Sequence, residues 1–204
     1  MSHTVGIRQA QKQKTRQALL DAALRLLEDQ SLSSVGLREV TRAVGVAPTA
    51  FYRHFTGMAD LGVALVEEAL GSLHATIGEA LTEPADEARI DRTVALVAEL
   101  VRTSPAHVRF VAREQHGGVA AVRAAIGEQL GRFADEVAAV FAAEPESAGW
   151  SRDDLDMLAG MYVDHMVMTA SALLEAGPED EERVSALARR RLRLVSLGRR
   201  HWLD

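Results

Sequence analysis

Between residues 37 and 55 the chain reads Leu37-Arg-Glu-Val40-Thr-Arg-Ala-Val44-Gly45-Val46-Ala-Pro48-Thr-Ala-Phe51-Tyr-Arg-His-Phe55, and the fold can be worked out from this stretch. Leu37 to Val44 has helical spacing. Gly45-Val46-Ala47 interrupts it at a residue without Cβ, which adopts positive φ at little cost. Pro48 suits the first turn of a following helix, where its missing N–H is not needed. Leu37, Val40, Val44, Val46, Phe51 and Phe55 supply inward contacts, and Thr49, Ala50, Tyr52, Arg53 and His54 face outward. Two aromatic rings, one cation and two small residues make an unusual solvated face. A helix-turn-helix needs a bracing helix, a tight turn and a second helix open to the major groove, and this segment supplies all three. Thr49 and Ala50 are small enough to approach base edges. Tyr52, Arg53 and His54 reach phosphates.

Outward from this core the charge is uneven. Residues 1–57 hold eight Lys/Arg and four Asp/Glu, whereas residues 58–204 hold fifteen and twenty-five. The net charge of −6 therefore hides a basic end suited to a polyanion and an acidic body. Arg8, Lys12, Lys14 and Arg16 lie before or on the first turns of the first helix, and beside a helix-turn-helix Lys14 to Arg16 are expected to meet DNA. The chain has no cysteine, which excludes disulfides and thiol chemistry and agrees with a reducing cytoplasm. The polar, basic start has no apolar stretch of the signal-peptide kind, and no apolar run reaches the roughly 18 residues of a spanning helix. A cytoplasmic protein without a membrane segment is expected.

Strand signals are nearly missing. Helical spacing predicts nine helices: about 11–30, 37–44 and 48–55, then a body of 59–81 closed by Pro84, 89–103, 105–115, 119–143, a capped helix beginning at Ser151-Arg-Asp-Asp154 and running to 176, and a last one after the turn Gly177-Pro178 to about 202. The eighth helix carries one stripe of Leu155, Leu158, Ala159, Tyr162, Met166, Thr169, Ala170 and Leu173, and a second face of Met161, His165, Met168 and Ala172. A helix apolar on two sides is buried on two sides, one against its own core and one against a partner subunit or a cavity. The last helix carries Val184, Leu187, Ala188, Leu192, Leu194, Val195, Gly198 and Trp202 as one stripe. Its arginines 189, 190, 191, 193, 199 and 200 read as a solvated face balancing the acidic body rather than as a second nucleic-acid surface. Two such helices per subunit suit a four-helix dimer interface. Catalytic and phosphate-loop motifs are missing, and the seven histidines show no metal-ligand spacing. A non-enzyme with no cofactor and no metal is expected.

The string Gly36-Leu-Arg-Glu-Val…Gly45-Val-Ala-Pro-Thr-Ala-Phe-Tyr-Arg-His-Phe55 resembles the DNA-binding domain of the TetR family of regulators. Thr41 and Val44 depart from the alanines usual there, and Met58 stands near where many members have a lysine. Gly6-Ile-Arg-Gln-Ala-Gln-Lys12-Gln-Lys14-Thr15-Arg16, with Val108-Arg-Phe-Val-Ala-Arg-Glu114 and Ala120-Ala-Val-Arg-Ala-Ala125, is similar to the subgroup that represses unsaturated fatty-acid biosynthesis. The resemblance implies an all-α, nine-helix fold, with an arm and helix-turn-helix over 1–57 and an effector-binding, dimerising body over 58–204. It implies a homodimer on a palindromic duplex operator and a small-molecule effector, a long-chain acyl-CoA or acyl carrier protein thioester if the subgroup holds. A drug or other metabolite is the alternative effector. The expected DNA contacts are Lys14, Thr15, Arg16, Arg38, Pro48, Thr49, Ala50, Tyr52, Arg53 and His54. The expected effector contacts are Phe110, Arg113, Met161, His165 and Met168. For Arg113 an ion pair with Glu114 or a body carboxylate competes with a ligand role. For His165 a satisfied buried histidine competes, and for the methionines plain core or interface.

Overall fold

A computed structural model describes residues 2–71, 73–81, 87–177 and 179–203, with the side chains of 2–8, 75, 76 and 79 outside the description. The described residues are helical, with no strand among them: α1 (Ser2–Leu26), α2 (Leu37–Val44), α3 (Pro48–Phe51), α4 (Met58–Leu70), α5 (Leu73–Leu81), α6 (Glu87–Thr103), α7 (Pro105–Glu114), α8 (Ala120–Ala142), a 3-10 turn at Pro145–Ser147, α9 (Arg152–Glu175) and α10 (Glu181–Arg200). This is the all-α arrangement that the resemblance implies. The nine expected helices are recovered when α4 and α5, predicted as one helix, are counted together. The break falls at Gly71, where a Cβ would lie 2.5 Å from the Glu67 carbonyl oxygen. Gly71 itself keeps helical angles (φ −61°, ψ −31°) with its N–H on that oxygen at 2.9 Å, and residue 72 lies outside the described residues. Pro84 and Pro178 lie outside the described residues.

The turn between α2 and α3 forms as the sequence predicts. Gly45 sits at φ 77°, ψ 28° in the left-handed region, and its N–H bonds back to the Arg42 carbonyl. Pro48 occupies the first turn of α3. That helix is shorter than expected. Beyond Phe51 the chain continues in turns, with His54 N–H on the Phe51 carbonyl at 2.9 Å and Phe55 N–H on the same oxygen at 3.0 Å. The basic arm also differs from expectation. It is helical from Ser2, so Lys14, Thr15 and Arg16 lie well inside α1.

One core joins the N-terminal helices to the body. Leu19, Leu20 and Ala23 of α1, Val40 of α2, Phe51 and Phe55, Leu61 and Leu65 of α4, Phe110 of α7 and Val122 and Ile126 of α8 form a single buried cluster. Hence packing runs straight across residues 57 and 58. Fully burying an aliphatic or aromatic side chain contributes roughly 1.5–3 kcal/mol, so this shared cluster is the main force docking α1 to α3 onto the rest.

In the body, α9 lies against α6, α7, α8 and α10. Ser151 caps it as predicted: its hydroxyl accepts from Asp154 N–H at 3.1 Å, and Asp154 accepts from Ser151 N–H. Leu155, Leu158, Ala159, Thr169 and Leu173 are buried, while Met157, Met161 and Met168 are exposed. By length and composition α9 also qualifies as a membrane-crossing helix, contrary to the count of uninterrupted apolar residues. Its partners on several sides account for that apolarity. The single stripe expected on α10 divides in two. Ala188 and Leu192 are buried on the α6 and α9 side, whereas Leu187, Leu194 and Leu197 are exposed.

Candidate DNA-binding face and effector cavity

The turns after α3 bring the cations of the first helix and the outward residues of the second to one place. Phe55 is buried, and the Arg16 guanidinium stacks over its ring at 5.0 Å from the centroid. Tyr52 stands 63% exposed, held edge-on by Phe51. His54 is half-buried, and its Nδ1 is buried without a hydrogen-bond partner. Desolvation holds its pKa below the ordinary value, and the charges of Lys12, Arg16 and Arg53 push the same way. Those three cations therefore share one local field with the histidine. Lys14, Arg38, Pro48, Thr49 and Arg53 are exposed, while Thr15, Arg16 and Ala50 are partly buried. Thr15 donates to the Gln11 carbonyl, which turns its hydroxyl back onto α1.

The body encloses a cavity of about 220 Å³ whose wall is overwhelmingly aliphatic and aromatic, including Leu73, Ile90, Leu100, Phe133 and Met166. None of the five expected effector contacts is on this wall. Phe110 is 1% exposed and belongs to the shared core. Met161 and Met168 are 50% and 60% exposed on the outer face of α9. His165 donates Nε2–H to the Ala188 carbonyl at 3.3 Å, and burial lowers its pKa. It is the satisfied histidine of the plainer reading. Arg113 neither faces the cavity nor pairs with Glu114. It donates to the carbonyls of Leu27 (2.9 Å), Gln30 (2.6 Å) and Glu28 (3.1 Å) just past α1, satisfying acceptors that a helix end leaves open. The reason for the miss is helical register: on α7 it is Val108, Val111 and Ala112 that reach the cavity.

Sequence reasoning missed three polar features. Glu114 is fully buried and accepts the Leu32 N–H at 2.9 Å, so adjacent residues of α7 grip both sides of the turn after α1. His107 is on the cavity wall and stands 3.5 Å from Glu68 of α4, which also accepts from Gln17 of α1 at 3.0 Å. Arg199, read as part of a solvated face, is 7% exposed. The signal was present in its spacing, because Ser185, Ala188, Leu192 and Arg199 recur on one helical face. Two other arginines of that run do balance acids: Arg189 pairs with Asp91 and Glu182, and Arg193 with Glu87.

A helix-turn-helix with a cationic flank is thus carried on a helical body that holds an apolar cavity. Residues 19–65 match the family of bacterial regulatory proteins known as the tetR family. Most of the chain shares its fold with several solved structures. A putative TetR-family transcriptional regulator from Syntrophomonas wolfei superposes with a TM-score of 0.74 at 15% identity, over 91% of this chain and 96% of that one. The transcriptional regulator FadR from Bacillus subtilis, solved in complex with stearoyl-CoA, gives 0.71 at 16% over 89% and 98%. The fatty acid degradation regulator FadR from Bacillus halodurans gives 0.68 at 16% over 93% and 96%. Residues 19–65 thus match the tetR-family model, and the chain has the fold of these solved regulators.

Proposed function

We propose that this regulator is a repressor of fatty-acid or lipid metabolism genes whose operator affinity is set by a long-chain acyl thioester. The observation that carries the reading is the cavity: its wall suits a long aliphatic chain and offers few polar groups to a compact polar metabolite. The likeness to a FadR solved with stearoyl-CoA supports the same class. On this reading residues 1–57 form the DNA-binding unit and residues 58–204 the effector and dimer unit. Lys14, Arg38 and Arg53 position the phosphates, Pro48, Thr49 and Ala50 approach the bases, and Tyr52 and His54 flank them. Thr15 and Arg16 support this surface from α1.

Dimerisation supplies the second half-site. Met157, Met161 and Met168 on α9 and Leu187, Leu194 and Leu197 on α10 leave an exposed apolar face of the kind a homodimer buries. Two recognition segments about 34–36 Å apart then enter successive major grooves. An effector shifts the balance between spacings by its differential affinity and no more.

The test is binding of the purified protein to duplexes from upstream of its own and neighbouring genes, at two salt concentrations, with and without oleoyl- and palmitoyl-CoA. Salt-sensitive, sequence-specific binding that the thioesters shift supports the proposal. Specific binding indifferent to both keeps the regulator and removes the lipid effector. Specific binding unaltered by Arg53→Ala would refute the assigned DNA face.

A further inference from the structure

The apolar cavity has one polar end. Arg89 of α6 and Arg199 of α10 both stand on its wall, and one carboxylate, Glu144, bridges them from behind. Arg89 Nη1 lies 2.6 Å from Glu144 Oε1, and Arg199 Nη1 lies 2.6 Å from Oε2. The three side chains are between 6% and 13% exposed. Arg199 is fixed further by donating to Ser147 Oγ and to the Phe141 carbonyl, and its guanidinium lies 4.6 Å over the Phe141 ring. Tyr162 packs edge-on against that same ring, and Ser196, three residues before Arg199, is also on the wall. Among the described residues of the wall there is no carboxylate. A ligand entering this end therefore meets two guanidiniums, a phenol and a hydroxyl at the head of an otherwise aliphatic chamber.

Burying an arginine pair is expensive, and the low local dielectric strengthens any anion placed beside it. Guanidinium is the side chain best matched to carboxylate and phosphate oxygens. A cavity built for chains alone would be better filled by apolar residues of similar volume. We propose that Arg89 and Arg199 form an anion subsite at the end of the effector cavity, so that the effector is a chain carrying a negatively charged oxygen headgroup rather than a neutral apolar compound. The anion is either the carboxylate of a free long-chain acid or a phosphate of a thioester carrier. This rests on the acyl-chain reading of the cavity given above.

The test is direct binding of oleate, oleoyl-CoA and oleyl alcohol to the purified full chain by titration calorimetry. One charge-assisted contact is expected to make oleate or oleoyl-CoA about tenfold or more tighter than the alcohol. Arg89→Gln is expected to shrink that ratio towards unity. Glu144→Gln is expected to enlarge it, because it removes the carboxylate charge that competes with a ligand anion for the two guanidiniums. A merely structural role for the cluster would give both variants the same sign. If Arg89→Gln weakens oleate, the bound anion is the carboxylate; if it weakens oleoyl-CoA alone, it is the carrier phosphate. An alcohol that binds the unsubstituted protein as tightly as both anionic ligands overturns the subsite while leaving the chain-binding cavity standing. Failure of all three to bind overturns the acyl-chain reading along with it. The comparison of ligands on the unsubstituted protein decides the matter even where a variant does not fold.

Discussion

Replacing Arg113 by methionine keeps most of the aliphatic stem and removes the guanidinium that joins α7 to the end of α1. Three hydrogen bonds go, to the carbonyls of Leu27, Gln30 and Glu28. The first two acceptors are partly buried, and the third faces solvent. Leaving a buried acceptor unsatisfied costs about 1–3 kcal/mol. Partial burial places the first two near the lower half of that range, and water replaces the donor at Glu28. The favourable cation at a helix C-terminus adds about 0.3–1 kcal/mol. The expected loss is therefore about 2–5 kcal/mol. Urea unfolding followed by far-UV circular dichroism measures it, provided the slope with denaturant is unchanged. Arg113→Lys retains the charge but not the planar fork, and should recover part of the loss. A methionine variant within about 0.5 kcal/mol of the parent, the range of ordinary surface changes, would show that the clamp does not hold the two units together.

Gly45→Ala introduces a Cβ that meets no atom within 4 Å, so its cost is the left-handed backbone alone, about 1–2 kcal/mol. Thermal melts should show it, and Gly45→Asn should be milder. His54 has a folded-state pKa below its ordinary 6.5, so on acidification through that interval the unfolded chain takes up a proton that the folded chain refuses. Stability should fall as the pH drops below about 6.5, and His54→Gln should flatten that part of the profile in urea titrations. Paired substitution of Met161 and Leu194 by glutamate places charges on the exposed apolar faces of α9 and α10. Sedimentation should then show monomer at concentrations where the parent is dimeric, with helicity retained.

The regular parts of the fold were legible because helix period, glycine and proline are local signals. The Gly45 turn, the Pro48 start and the Ser151 cap each depend on residues within one turn of themselves. The buried stripe of α9 at Leu155, Leu158, Ala159, Thr169 and Leu173 followed from 100° spacing alone. Met161 and Met168 of the second face, expected to be buried against a partner or a cavity, are instead exposed in this chain. What failed depended on neighbours distant in sequence. Whether Arg113 meets a ligand, a carboxylate or a helix end is decided by residues 83 to 86 positions away. Arg199 reads as solvated in a run of arginines, and becomes buried because Glu144, Ser147 and Phe141 offer it acceptors and a ring. The cavity was not legible at all, since a void is a property of packing among the seven helices α4 to α10 and not of any one of them.

The way α7 is held bears on how a signal crosses the molecule. Its Val108, Val111 and Ala112 touch the cavity, and its next two residues, Arg113 and Glu114, hold the carbonyls after α1 and the Leu32 N–H. His107 at its start faces Glu68 and, through it, Gln17. Breaking the Arg113 and Glu114 contacts would cost several kcal/mol by the values used above. Coupling between an effector and a DNA site is typically about 1–3 kcal/mol. A ligand that displaces α7 therefore lacks the free energy to detach it from α1. On the proposed function, the smaller expense is for α1 and the helix-turn-helix packed on it to move as one body with α7, so that a change in the cavity would become a change in the placement of Arg16, Tyr52 and Arg53.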